Sequence, residues 1–324
     1  MKQKLSKLFL ILATAGSAFA ESWTGPLDGN FNFGVNWNTG NVPGPNDSAE
    51  FLESATAVLS GTETAEVDRL LTNGESTVNL TVDGDLSLRT GSLAEYRVSN
   101  NSTLNIDGSG NLLTTGSGTL RLRINANSTL NLLDVNLNAN SLNVALDSGG
   151  LVNLTDGSIT NAASVSLTGA GATLALNGIA SIDGPLVLEN GSNLSLNGSS
   201  NVSVTSVSAT TSGGGSNWVF DVTGASSTTP LLTADTLDIT NISLDLSSTT
   251  SFPSQVILAE YDVGGLTGTT FNGTITGLPS SHFIDYNFGP NGNQIALVVP
   301  EPSMALPILA GFLPLLGFRR RSRR

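Results

Sequence analysis

Two carboxylates and two guanidiniums stand close together early in the chain: Asp83 and Asp85, followed by Arg89 and Arg97. These types suit polysaccharide cleavage, in which one carboxylate moves a proton, another or a Ca²⁺ ion supports the charge, and an arginine neutralises an acidic sugar. The same spacing also describes an acidic turn flanked by solvated arginines, and it marks no reacting atom. The one histidine, His282, lies beside Phe283 in a segment read as strand or turn, where a lone imidazole specifies no base. Serine and aspartate are so frequent that a Ser-His-Asp triad is written many ways and specified by none. No cysteine is present, which removes thiolate nucleophiles, disulfides and thiolate metal sites. No Gly-Gly-x-Gly-x-Asp calcium repeat occurs. The expectation is a non-enzymatic chain without catalytic, cofactor or metal site.

What would position such residues is a repeat. Between residues 76 and 196 an apolar-polar-apolar phrase recurs, centred on Asn79, Asn105, Asn131, Asn153, Ala175 and Ser195. Those centres are 26, 26, 22, 22 and 20 residues apart, the length of one solenoid coil. Alternation with period two is the mark of a half-buried strand. Stacked coils then place Val78, Leu104, Leu130, Val152, Leu174 and Leu194 in one inward row. Leu80, Ile106, Leu132, Leu154, Leu176 and Leu196 form a second, and the central Asn, Ala and Ser point outward. Secondary phrases at residues 142–144, 165–167 and 186–188 predict another strand per coil. Residues 63–73 carry some 3.6-residue periodicity, weakened by Thr64 and Val67. The fold expected is all-β, a right-handed parallel β-helix with an N-terminal cap and a C-terminal β cap; an antiparallel β-sandwich is the alternative.

The flanks differ in composition. Residues 21–60 hold Trp23 and Trp37 and read as an aromatic cap on the first coil, with coils over 61–210. A Gly/Ser-rich stretch near 211–216 marks a boundary, and 217–299 reads as a C-terminal β region with strands at 237–246, 255–261, 283–288 and 294–299. Residues 1–20 have the order of a secretory signal: Lys2, Lys4 and Lys7, an apolar stretch, then Ala18 and Ala20 at a small-x-small cleavage site. At the other end, Pro300, Glu301 and Pro302 precede an apolar run over 303–318 and the basic cluster Arg319, Arg320, Arg321, Arg323 and Arg324. That run is 16 residues, interrupted by Pro307 and Pro314, short of the roughly 20 residues that cross a bilayer comfortably.

The order of those three C-terminal features resembles the PEP-CTERM sorting signal of Gram-negative bacteria. The resemblance covers about residues 298–324, with the signal itself at 300–324, and implies recognition of Pro300, Glu301 and Pro302 by an exosortase, a membrane cysteine protease. It further implies transient insertion in the inner membrane, removal of the apolar helix and arginine tail, and delivery to the cell surface or extracellular matrix. The Trp23, Gly25 and Asn36-Trp37 spacing is similar to the opening of autotransporter-like β-helix proteins that carry this signal.

Removing both terminal segments leaves Arg69, Arg89, Arg97, Arg121 and Arg123 against 26 acidic residues, a formal charge of −21 with no lysine. That balance argues against nucleic acid and anionic lipid head groups as partners and leaves divalent cations, neutral glycans and basic partners open. Outward rows of Asn, Ser and Thr offer neutral donors and acceptors to hydroxyl-rich polymers. The expected function is therefore structural or adhesive, with neutral exopolysaccharide or further copies of the chain as partners. A carbohydrate-active β-helix enzyme and a passive spacer are the alternatives, and no cofactor is expected.

Overall fold

A computed structural model describes residues 20–300 other than 26–27, 91–94, 117, 140–142, 148, 211–214 and 274. Among these residues the chain is nearly all strand, wound as a parallel β-solenoid of about nine turns. The one helical element among the described residues is a single 3-10 turn, Gly34–Asn36. One wall is a ten-stranded parallel sheet running from Asp28–Asn30 to Ile242–Asp245. The remaining strands form a second, nineteen-stranded sheet that folds around the other two sides of each coil.

The repeating phrase sets this register. Leu104 pairs with Val78 and with Leu130, Val152 pairs with Leu130 and Leu174, and Leu194 continues the row. Every member of both expected inward rows is buried. The rows extend further, into Trp218 and Phe220 on the strand Ser216–Asp221. Coils therefore stack through like side chains, and each buried leucine contributes on the order of 2 kcal/mol.

Each early coil has three strands. Thr77–Val82 is followed by Asp85–Thr90 and then by Glu95–Val98, before the chain re-enters the ten-stranded sheet at Thr103–Asp107. In later coils the second and third strands fuse, as in Ser181–Leu188 and Val202–Ala209, which pair with a register shift between Ile182 and Pro185. Residues 63–73 form two strands, Thr64–Val67 and Arg69–Thr72, because the next coil supplies parallel partners for both. Likewise residues 237–246 are not one strand. Asp238 Oδ1 accepts the Thr240 N–H at 3.0 Å, a local turn that ends Leu232–Asp238 before Ile242–Asp245 begins. Across the Gly/Ser-rich boundary the parallel pairing continues, since Asn193–Asn197 pairs in register with Ser216–Asp221.

Tight corners dictate small residues. Ser76, Ser102, Ser128 and Ser192 each precede a strand of the ten-stranded sheet, Ser216 opens another, and all five are buried. At the opposite corner, a Cβ on Gly110 would stand 1.9 Å from the Gly84 carbonyl oxygen. Gly110→Ala must therefore push two coils apart, at a cost of about 3 kcal/mol. A lowered Tm checks this, and an unchanged Tm would show that the corner has room.

Both ends are closed. At the start, Trp23, Phe31, Trp37 and Phe51 pack with ring centroids 5.1–5.8 Å apart. Trp37 Nε1 donates to the Phe31 carbonyl at 2.9 Å. Beside them the Glu63 carboxylate accepts from the Asn30 amide and the Ser60 N–H, contacts that hold its pKa below the usual carboxylate value. At the far end Gln255–Tyr261, Gln294–Val298 and Phe283–Phe288 switch to antiparallel pairing and cover the last coil.

Candidate functional site

The four residues with the types for polysaccharide cleavage do not converge. Asp83 sits at a corner and accepts the Ser109 N–H at 3.3 Å. Asp85 opens the next strand, where its Oδ1 accepts the Asn111 amide at 2.9 Å. Arg89, four residues along that strand and so about 13 Å away, donates to Asn46 Oδ1 at 2.7 Å. Arg97 belongs to a different side of the coil and pairs with Glu95. Each is engaged with a separate neighbour. Among the described residues no three His, Asp or Glu side chains come together as a metal site.

His282 is held by its own turn. Its Nε2 faces the Pro253 carbonyl at 3.0 Å, so that nitrogen carries the proton and donates. Nδ1 then accepts the Ser281 hydroxyl at 2.9 Å. Both ring nitrogens are occupied by local contacts that fix the loop beneath Phe283–Phe288.

Of the sorting residues, Pro300 is described and exposed. It follows directly on the last backbone hydrogen bond of the cap, from Val299 N–H to the Ser254 carbonyl at 2.9 Å. It also lines a groove with Ser254, Gln255, Phe283 and Phe288. Glu301, Pro302, the apolar run, the arginine tail and Ala18 lie outside the described residues. Ala20, placed at the cleavage site, is the first residue of the strand Ala20–Ser22. No helix among the described residues is long and apolar enough to cross a membrane.

The surface with the most repeated chemistry is the outer face of the ten-stranded sheet. Three polar columns run along it, placed by alternation with the buried rows. The central column is an amide ladder: Asn105 Nδ2 donates to Asn79 Oδ1, Asn131 to Asn105 and Asn153 to Asn131, each at 2.7 Å. A side column repeats the motif, with Asn197 Nδ2 donating to Asn177 Oδ1 at 2.7 Å. On the other side Asn217 donates to Asn193 Oδ1 at 2.9 Å. The central ladder stops at Ala175, which occupies the outward position in register but is only 9% exposed between its neighbours.

Each amide inside the ladder uses one N–H and one carbonyl lone pair, leaving the second of each for a ligand or water. The columns repeat at the strand spacing, roughly 4.8 Å. From residue 77 to 197 the only charged residue in these columns is Asp107. A shallow groove of about 410 Å³ follows the columns, lined by Asn105, Asp107, Asn131, Leu133, Asn153 and Asn177. Leu133 is 43% exposed there and supplies an apolar platform among the amides.

Asn131→Asp tests the ladder. At neutral pH the aspartate still accepts from Asn153 but turns an anionic oxygen toward Asn105 Oδ1, costing about 1–3 kcal/mol. The variant's carboxyl pKa rises above its ordinary value of about 4, so the loss shrinks as pH falls through that raised pKa and is gone once pH is below about 4, where the acid is a donor again. A variant Tm deficit that stays constant between pH 7 and pH 3 would sink this account.

Sequence reasoning placed the outward Asn, Ser and Thr columns but assigned no role to the serine that opens each phrase. The signal was present in Ser76, Ser102, Ser128 and Ser192, four small residues at one repeat position. No family model matches the chain, and neither a curated protein nor a solved structure matches it significantly.

Proposed function

We propose that the chain is an exported structural and adhesive protein of the cell surface or extracellular matrix, sorted by an exosortase and holding hydroxyl-rich exopolysaccharide along its amide face. The observation that carries this reading is the uncharged, regularly spaced donor and acceptor array from Asn79 to Asn153, with the Leu133 groove beside it. Sugar hydroxyls both donate and accept, and an amide that keeps one N–H and one lone pair meets both needs. An apolar side chain within the array fits the C–H face of a pyranose. The position of Pro300 directly beyond the cap suits a sorting signal, since a protease requires extended, exposed chain.

The test is fractionation and intact mass of the chain from its host, beside a Pro300→Ala/Pro302→Ala variant. A wild-type chain that begins at Glu21, ends near Pro302 and leaves the inner membrane, with the variant retained there, is the expected result. A wild-type chain that keeps Arg324 in the inner membrane would overturn the sorting reading.

A further inference from the structure

All positive side chains of residues 21–300 apart from His282 fall between Arg69 and Arg123, in three consecutive coils. Four of the five share one wall, the strands Arg69–Thr72, Glu95–Val98 and Thr119–Ile124. Register stacks them: Arg69 pairs with Glu95, Glu95 with Arg121, and Arg97 with Arg123. Asp147 is the next in register after Arg123. A chain with a fivefold excess of acids over arginines has thus gathered four of its five arginines on one side.

The members of the patch are not equivalent. Arg69 Nε lies 3.3 Å from Asp68, and Arg97 is held by the buried Glu95. Arg121 and Arg123 are exposed, two residues apart on one strand, and make no hydrogen bond or ion pair among the described residues. Two residues along a strand separate their Cα atoms by about 7 Å on the same face. A guanidinium presents a planar fork of donors that matches a carboxylate in two hydrogen bonds.

We infer that this wall is a second binding surface, one that takes a polymer bearing regularly spaced carboxylates, such as a uronate-containing glycan, through Arg121 and Arg123. A second copy of the chain fits less well, because residues 21–301 of both copies carry a formal charge of −21 and repel as they approach. The dense phosphates of nucleic acid fit less well again, since two free arginines face one charge per about 1.7 Å on a chain that is itself acidic. The surface lies on a different side of the solenoid from the amide face and stands whether or not that face binds sugar.

The experiment is retention of the full chain on immobilised polygalacturonate and on dextran at low salt, beside Arg121→Gln/Arg123→Gln and, as control, Arg89→Gln. Circular dichroism confirms that each variant is folded. Expected is wild-type retention on polygalacturonate that falls steeply as ionic strength approaches about 0.15 M, where the screening length is about 8 Å. The double variant should lose at least tenfold in affinity, while Arg89→Gln matches wild type. No wild-type retention, equal retention of the double variant, or equal retention on dextran would each overturn the inference. So would salt-sensitive self-association in sedimentation that the double variant abolishes, which would assign the wall to another copy of the chain.

Discussion

Leu130→Asp is expected to melt the middle of the solenoid while leaving its last coils folded. Leu130 is fully buried, flanked in register by Leu104 and Val152, and no cation lies within its row to meet a carboxylate. Placing an unpaired charge there costs on the order of 5 kcal/mol or more. In a stack where each coil touches only its neighbours, that cost is met locally. Amide exchange should therefore lose protection from Thr103–Asp107 to Leu151–Thr155, while Ser216–Asp221 and Ile242–Asp245 keep theirs. Leu130→Val removes one methylene and should cost only about 1 kcal/mol. Uniform loss of protection along the chain would mean a single cooperative unit and would sink the local picture.

Trp37→Ala should have the next largest effect, at the other kind of weak point. The indole is 2% exposed, touches the rings of Trp23, Phe31 and Phe51, and ties its N–H to the Phe31 carbonyl. Truncation leaves a cavity worth about 3–5 kcal/mol. It also frees the segment whose Asn38 N–H caps the Ser22 carbonyl, so the strand Ala20–Ser22 gains an open edge. Sedimentation should show concentration-dependent association of the variant, with exchange raised in Ala20–Ser22 and Ser48–Phe51. Trp37→Phe keeps the ring contact but loses the hydrogen bond, so it should lose about 1 kcal/mol and remain monodisperse. An alanine variant that stays monodisperse with wild-type exchange would remove the capping role.

The coil register was legible because two independent periods agree on it. Alternation fixed which face of each strand is buried, and the recurrence of Asn at 79, 105, 131 and 153 fixed which residues stack. The Asn ladder distances are the physical result of that spacing. Residues 63–73 were not legible, since four-residue strands gain their partners from Asp85–Thr90 and Glu95–Val98, far along the chain. The break after Asp238 was legible in a slip of the alternation, from Leu237 and Ile239 to Ile242 and Leu244, and in Asp followed two residues later by Thr, a turn signal. The arginines at 69, 89, 97, 121 and 123 were visible as a count, yet their side of the coil depends on corner positions that periodicity does not give. For the same reason Asp83, Asp85, Arg89 and Arg97 looked like a group in sequence and are dispersed in space.

A stack of look-alike rungs invites a threading error, in which one rung pairs with the next but one and the whole column closes out of step. The coil lengths guard against it. Successive registers run 26 residues from Thr77 to Thr103 and again to Thr129, then 22 to Leu151, 22 to Thr173, 20 to Asn193 and 24 to Asn217. Skipping a rung would leave a connection too long or too short for its corner. It would also set Trp218 or Tyr96 where a leucine-sized space waits. The irregularity of the repeat thus works as a key, permitting one alignment of an otherwise repetitive chain and giving a self-similar molecule a single address for every strand.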